Sequence, residues 1–218
     1  MDAMIRRRMM MAEAGGTPTP PVPVPYDTRV EYLACTGAGE KIDTGFYPTE
    51  KTRVTGKVMF TNQRGTFFCS RWTSGDNTNT FTFYAATYNL AAMASHDGVN
   101  HTLLNIMTNN ANRYNNVLDI DFDVDRVKVY LNGNSVYNSA LSRGTAYTST
   151  SPLIYFNFTD AYITAMRIYE SKIYEDGVLV HSYIPVRVGQ VGYLYDEVAN
   201  ELKGNTGSGD FVFGNDIN

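Results

Sequence analysis

From Arg29 onward the chain is cut into short runs, apolar or alternating, by turn residues at intervals of about 8 to 12 positions. Runs that short are poor helices but pair readily as strands, and their regular spacing is that of a sandwich or jelly roll. They read "RVEYLAC", "RVTGKVMF", "GTFFCSRW", "TFTFYAA", "VLDIDFDV", "VKVYLNG", "SPLIYFNF", "AMRIYESKIY" and "VLVHSYIPV". No helix period runs through any comparable length. The 16 Tyr and 11 Phe, against a single Trp, fit the same reading, because flat rings pack well on a pleated surface. Asn132-Gly133 and Asp176-Gly177 are the strongest turn signals, since a two-residue hairpin needs positive φ at its centre. The expected fold is all-β: two antiparallel sheets in a jelly-roll sandwich.

One run raises the question of chemistry. In "VLDIDFDVDRVKVYLN" the residues Asp119, Asp121, Asp123 and Asp125 fall on every second position, so a strand puts them on one face. A turn at Asp125-Arg126 sets Phe122 opposite Val129 and Ile120 opposite Leu131, which closes an apolar face, and sets Asp123 opposite Lys128 and Asp121 opposite Tyr130. That arrangement is a solvated outer face. Retaining glycoside hydrolysis needs two carboxyls about 5 to 5.5 Å apart, one of them sheltered enough to stay protonated, and a turn gives little shelter. No catalytic residue is expected. The same strand spacing diverges too far to wrap Ca²⁺, whose 6 to 8 oxygens converge from loops. "SGDNTNT" is richer in oxygen but lacks the order of a calcium loop, so Ca²⁺ is the one ion left open and no cofactor is expected.

Other classes are excluded by what is missing. A net charge of −4 offers no basic field for a phosphate backbone, so nucleic acid is not an expected partner. No run approaches the roughly 18 apolar residues of a membrane span, and the apolar stretch after the opening arginines is too short for an export signal. Cys35 and Cys69 lack zinc spacing with His96, His101 or His181 and read as buried free thiols rather than a disulfide. His181 reads as a strand residue facing solvent or a tyrosine, not as a base. For sugar recognition, where rings stack on pyranose faces, the candidates are Trp72, Tyr84 and Tyr88; any one of them reads more readily as core or hairpin packing.

The N-terminal part has a different character. Residues 1–14 are basic and methionine-rich and could form a short helix or remain a peptide. Residues 15–28 form a Gly/Pro-rich linker, in which Pro18, Pro20, Pro21, Pro23 and Pro25 favour a polyproline rod about 25 Å long. The sandwich then occupies residues 29–218.

Two stretches carry a family likeness. "EYLACTGAGEKIDTGFYP", through Tyr32, Leu33, Thr36, Gly37, Ile42, Asp43, Thr44, Gly45 and Pro48, resembles the opening of laminin G-like, concanavalin A-like β-sandwich domains of phage and gut-bacterial proteins. The closing segment resembles that family through Ile168, Tyr169, Lys172, Ile173, Tyr174, Gly177, Leu179, Val180, Pro185, Gly192, Leu194, Tyr195, Asp196, Asn205, Gly207, Gly209, Phe211 and Gly214. Cys35 stands where the family has serine, and residues 38–41 replace a shorter link, so a remodelled first turn is expected. The resemblance implies glycan binding or a structural role, without catalysis. With the rod and head it points to a non-enzymatic bacteriophage virion protein, a capsid or tail decoration or fibre, located in the virion. In this reading Ile5, Arg6, Arg7, Arg8, Met9 and Met10 anchor the chain to a capsid or tail protein, and the sandwich takes glycan as a partner, with self-association left open. The alternative is a bacterial surface or secreted carbohydrate-binding module, and a glycan hydrolase ranks third.

Overall fold

The protein's structure is a computed structural model that describes residues 24–61, 64–70, 80–85, 90–95, 102–106, 114–123, 125–141, 148–156 and 165–217. The anchoring residues Ile5 to Met10 and most of the linker lie outside the described residues. The first strands are β1 (Thr28–Val30), β2 (Leu33–Cys35), β3 (Ile42–Asp43), β4 (Thr52–Phe60), β5 (Gly65–Ser70) and β6 (Thr80–Ala85). β7 (Leu90–Ser95), β8 (Thr102–Asn105), β9 (Val117–Phe122), β10 (Arg126–Leu131), β11 (Asn134–Ala140) and β12 (Leu153–Phe156) follow. The chain ends through β13 (Met166–Glu175), β14 (Val178–Val188), β15 (Val191–Asp196), β16 (Glu201–Lys203), β17 (Val212–Phe213) and β18 (Asp216–Ile217). Among the described residues there is no helix, and so none long and apolar enough to cross a membrane.

Two antiparallel sheets form, as expected from the strand spacing. The larger runs β11-β10-β9-β4-β13-β14-β1-β18, with β15, β16, β2 and β17 joined at its side; the smaller runs β3-β12-β5-β6-β7-β8. The core lies between them. β4 turns Val54, Val58 and Phe60 inward, and β9 turns Leu118, Ile120 and Phe122 inward, the last set alternating with Asp119 and Asp121. From the small sheet, Phe67 and Phe68 both reach the core because the register with β6 slips between Thr66 and Phe68. Phe67 stacks on Tyr155, and Phe68 and Phe81 close on Phe122. Both signalled turns form: Asn132-Gly133 and Asp176-Gly177 have positive φ at all four residues and join adjacent paired strands.

The aspartate hairpin differs from its expected register. Phe122 pairs with Val127, Asp121 with Lys128, Ile120 with Val129 and Asp119 with Tyr130, a slip of two residues from the pairing inferred above. The connection closes one position earlier in the chain than inferred, where the Asp123 N–H donates to the Arg126 carbonyl at 2.8 Å. A slip of two preserves the faces, so the apolar and acidic sides are as expected.

The first turn, over residues 36–41, has a definite form. Glu40, fully buried, turns its carboxylate back on the loop and accepts hydrogen bonds from the Thr36 and Ala38 N–H groups at 3.0 and 2.9 Å, and from the Thr36 hydroxyl. Burial pushes the Glu40 pKa up, but these donors outweigh it and hold the carboxyl below its ordinary range. The loop is clasped by the C-terminal segment: Asn205 Oδ1 accepts from Lys41 N–H, Ser208 Oγ donates to the Ala38 carbonyl, and Thr206 N–H donates to the Lys41 carbonyl. Thr36, Gly37, Asn205, Gly207 and Gly209, from the two stretches that carry the family likeness, thus meet in one structural clasp.

Candidate functional site

On the outward face of β10, β9, β4 and β13 the antiparallel register assembles rows of polar side chains. Lys172, Thr55, Asp121 and Lys128 form one row, and Glu170, Lys57, Asp119 and Tyr130 form the next. Tyr174 lies beside Arg53 in a third. The acidic ladder is neutralised mainly from β4, which the sequence reading did not place beside it. Arg53 makes a two-pronged bond to Asp121, at 2.8 and 3.1 Å, and Lys128 approaches the same carboxylate at 3.5 Å. Lys57 stands 3.8 Å from Asp119. The Asp121 carboxylate raises the pKa of the Arg53 guanidinium, which also lies over the Tyr174 ring at 5.2 Å from its centre.

These residues line a shallow depression of about 270 Å³, walled by Arg53, Asp119, Glu170, Lys172 and Tyr174, with Thr55, Gly56, Ile120 and Ser171 along its floor. A backbone irregularity sets it up. β13 is regular to Ile168, slips between Ile168 and Glu170, and resumes in the opposite phase, so Tyr169 and Glu170 are both half-exposed before Ser171 turns inward. Ser171 Oγ donates to the Thr55 carbonyl at 3.1 Å and shares a hydrogen with the Tyr155 hydroxyl at 2.7 Å, which pins the floor to the core.

Asp121 and Asp119 already hold cations, so neither is the sheltered acid that glycoside cleavage requires. Among the described residues no cluster of His, Cys, Asp and Glu could hold a metal ion, and most of the "SGDNTNT" loop lies outside them. Of the sequence candidates, Trp72 and Tyr88 lie outside the described residues, and Tyr84 sits half-buried on β6 in the other sheet, apart from the depression. Tyr174 and Glu170 were missed as candidates. The signal was present in "MRIYESKIYE", where the apolar positions pass from even (Met166, Ile168) to odd (Ile173) and so betray the bulge.

A second polar cluster sits at one end of the sandwich. His181 lies on β14, stacked on Tyr183 at 5.6 Å and edge-on to Phe46, and its Nδ1 meets Asp196 Oδ2 at 2.5 Å. Asp196 is fully buried and also accepts from the Ser182 and Val198 N–H groups, each at 3.1 Å. The tyrosine neighbour of His181 was expected; the aspartate was not. Among the described residues no hydroxyl or thiol bonds the histidine's second nitrogen. Cys35 and Cys69 are free and buried, as expected, and burial pushes both thiols up to about 12.

No family model matches the sequence, and no curated protein matches it. Similar solved structures do exist. The receptor binding domain of botulinum neurotoxin D is 9% identical, with a TM-score of 0.47 over 87% of this chain and 65% of that one. The receptor binding domain of the botulinum neurotoxin C/D mosaic serotype is 10% identical, with a TM-score of 0.45 over 88% and 64%. The binding domain of Paraclostridial Mosquitocidal Protein 1 is 8% identical, with a TM-score of 0.45 over 70% and 44%. This chain therefore spans between 44% and 65% of the length of those domains.

Proposed function

We propose that the protein is a non-enzymatic glycan-binding module, displayed on a bacteriophage particle through its N-terminal peptide. The observation that carries the glycan reading is the depression on β4, β9 and β13. There a tyrosine ring and side chains that donate and accept hydrogen bonds face solvent together, fixed by Arg53 and its bonds to Asp121. An aromatic face with a few fixed polar groups around it is what a hydroxyl-rich ring needs, and the pairing of Asp119 and Asp121 with bases favours binding over bond cleavage.

A glycan array with the full chain tests this. Tyr174→Ala should weaken any hit about tenfold, the scale of one aromatic contact, while leaving the melting curve in place, because Tyr174 is a half-exposed surface residue. Binding unaffected by that change would move the site elsewhere, and release of reducing sugar from a bound glycan would make the protein an enzyme.

The particle setting rests on the likeness to phage sandwich proteins and on the proline rod between residues 1–14 and the sandwich. Removing residues 1–25 should give a protein that folds as before but is missing from purified particles. Retention of the shortened chain on particles would defeat the anchoring role of Ile5 to Met10.

A further inference from the structure

The bulge in β13 does more than open the depression. In a regular strand, residues five apart point to opposite faces, so Tyr169 and Tyr174 would be separated by the sheet. The slip between Ile168 and Glu170 reverses the phase and brings both rings to the outward face, with Glu170 and Lys172 between them. Five residues of extended chain put the two tyrosines about 16 Å apart along the strand. Tyr169 meets Tyr32 edge-on at 5.7 Å, and Tyr32 is held in turn beneath the Arg167 guanidinium, 4.2 Å from its ring centre. Tyr169 is therefore buttressed on one side and open on the other.

Resting on the glycan-binding reading above, the geometry points to a more specific ligand: a neutral, linear oligosaccharide lying along β13, with one ring of the chain against Tyr174 and another against Tyr169. A single sugar reaches one tyrosine; only several linked rings reach both. Neutrality follows from charge. Arg53 and Lys172 stand against Asp119 and Glu170 around the depression, two of each sign, so the depression presents no net charge to draw an anionic or cationic polymer. The bulge is thus a ruler that sets the shortest chain bound well.

The test is calorimetry of the full chain with neutral linear gluco-, manno-, galacto- and xylo-oligosaccharides, from monosaccharide to hexasaccharide, at roughly 50 and roughly 500 mM NaCl. Affinity should rise about tenfold from monosaccharide to the longer chains and stay within about twofold between the two salts. Tyr169→Ala should abolish the gain with length, bringing the affinity for the hexasaccharide down to that for the monosaccharide. Tyr169→Leu, which keeps an apolar side chain beside Tyr32 but offers no flat ring, should do the same and guards against a folding defect. Equal affinity for short and long chains, a strong salt dependence, or full length dependence in both Tyr169 variants would overturn the ruler while binding sensitive to Tyr174→Ala kept the glycan reading. Failure of every saccharide to bind would overturn both.

Discussion

Replacing Gly207 with alanine is expected to lower stability by about 3 kcal/mol, a fall in Tm of roughly 6–12 °C for a domain of this size. A Cβ at that position would lie 2.0 Å from the carbonyl oxygen of Gly39 and 3.1 Å from its carbonyl carbon, both backbone atoms with no rotamer to escape into. The C-terminal segment would have to lift from the loop that Glu40 organises. With it would go the bonds from Ser208 N–H to Gly39, from Thr206 N–H to Lys41 and from Lys41 N–H to Asn205. Gly189 is the comparison: its φ is +58° but nothing lies within 4 Å of an added Cβ, so Gly189→Ala meets only the backbone cost of about 1 to 2 kcal/mol. Urea denaturation of the two variants and the parent separates the effects. If Gly207→Ala proves no weaker than Gly189→Ala, the clasp is looser than its contacts imply.

The position of Gly207 shows what kind of information the sequence held. Five of the residues carrying the family likeness, Thr36, Gly37, Asn205, Gly207 and Gly209, meet in the clasp, and three others, Tyr169, Lys172 and Tyr174, lie on the outward side of β13. That face was only half legible. The alternation in "VLDIDF" and "RVKVYL" was enough to assign inner and outer sides, because a register error of two residues leaves them intact. It could not reveal Arg53 beside Asp121, since the two are 68 positions apart and meet only because β4 inserts between β9 and β13.

Other misses have physical reasons of their own. β7, "LAAMAS", was not read as a strand, because alanine has little strand preference; Ala92 and Ala94 are there to pack beneath Phe81 and Phe83, to which they pair. The bulge at Tyr169 was hidden by reading "AMRIYESKIY" as one alternating run, although its phase changes midway. By contrast, the turns at Asn132-Gly133 and Asp176-Gly177 were legible without any tertiary contact, since positive φ is a local demand that those residues meet.

Asp196 carries the other large expected effect. Its carboxylate is fully buried and is the common acceptor for His181 and for the Ser182 and Val198 N–H groups, so Asp196→Ala deprives a partly buried ring nitrogen and two backbone donors of their acceptor together. Leaving a buried donor without its acceptor costs about 1–3 kcal/mol. Asp196→Asn keeps the shape and one acceptor oxygen but loses the charge, which makes it the better probe of pH. Burial alone pushes the Asp196 pKa up; the His181 hydrogen bond and the two N–H groups more than reverse this and hold the carboxyl below its ordinary value. A group depressed in the folded state contributes stability that is fully present above its unfolded pKa, about 3.9, and is lost as the pH falls from there through the folded value. The stability gap between parent and Asp196→Asn should therefore be widest at about pH 5 and above, and should shrink at about pH 3. Urea unfolding at those two values reads the gap directly. A gap that stays constant would mean that shape and hydrogen bonding, not the ionised carboxylate, hold β14 to β15 at this end of the sandwich.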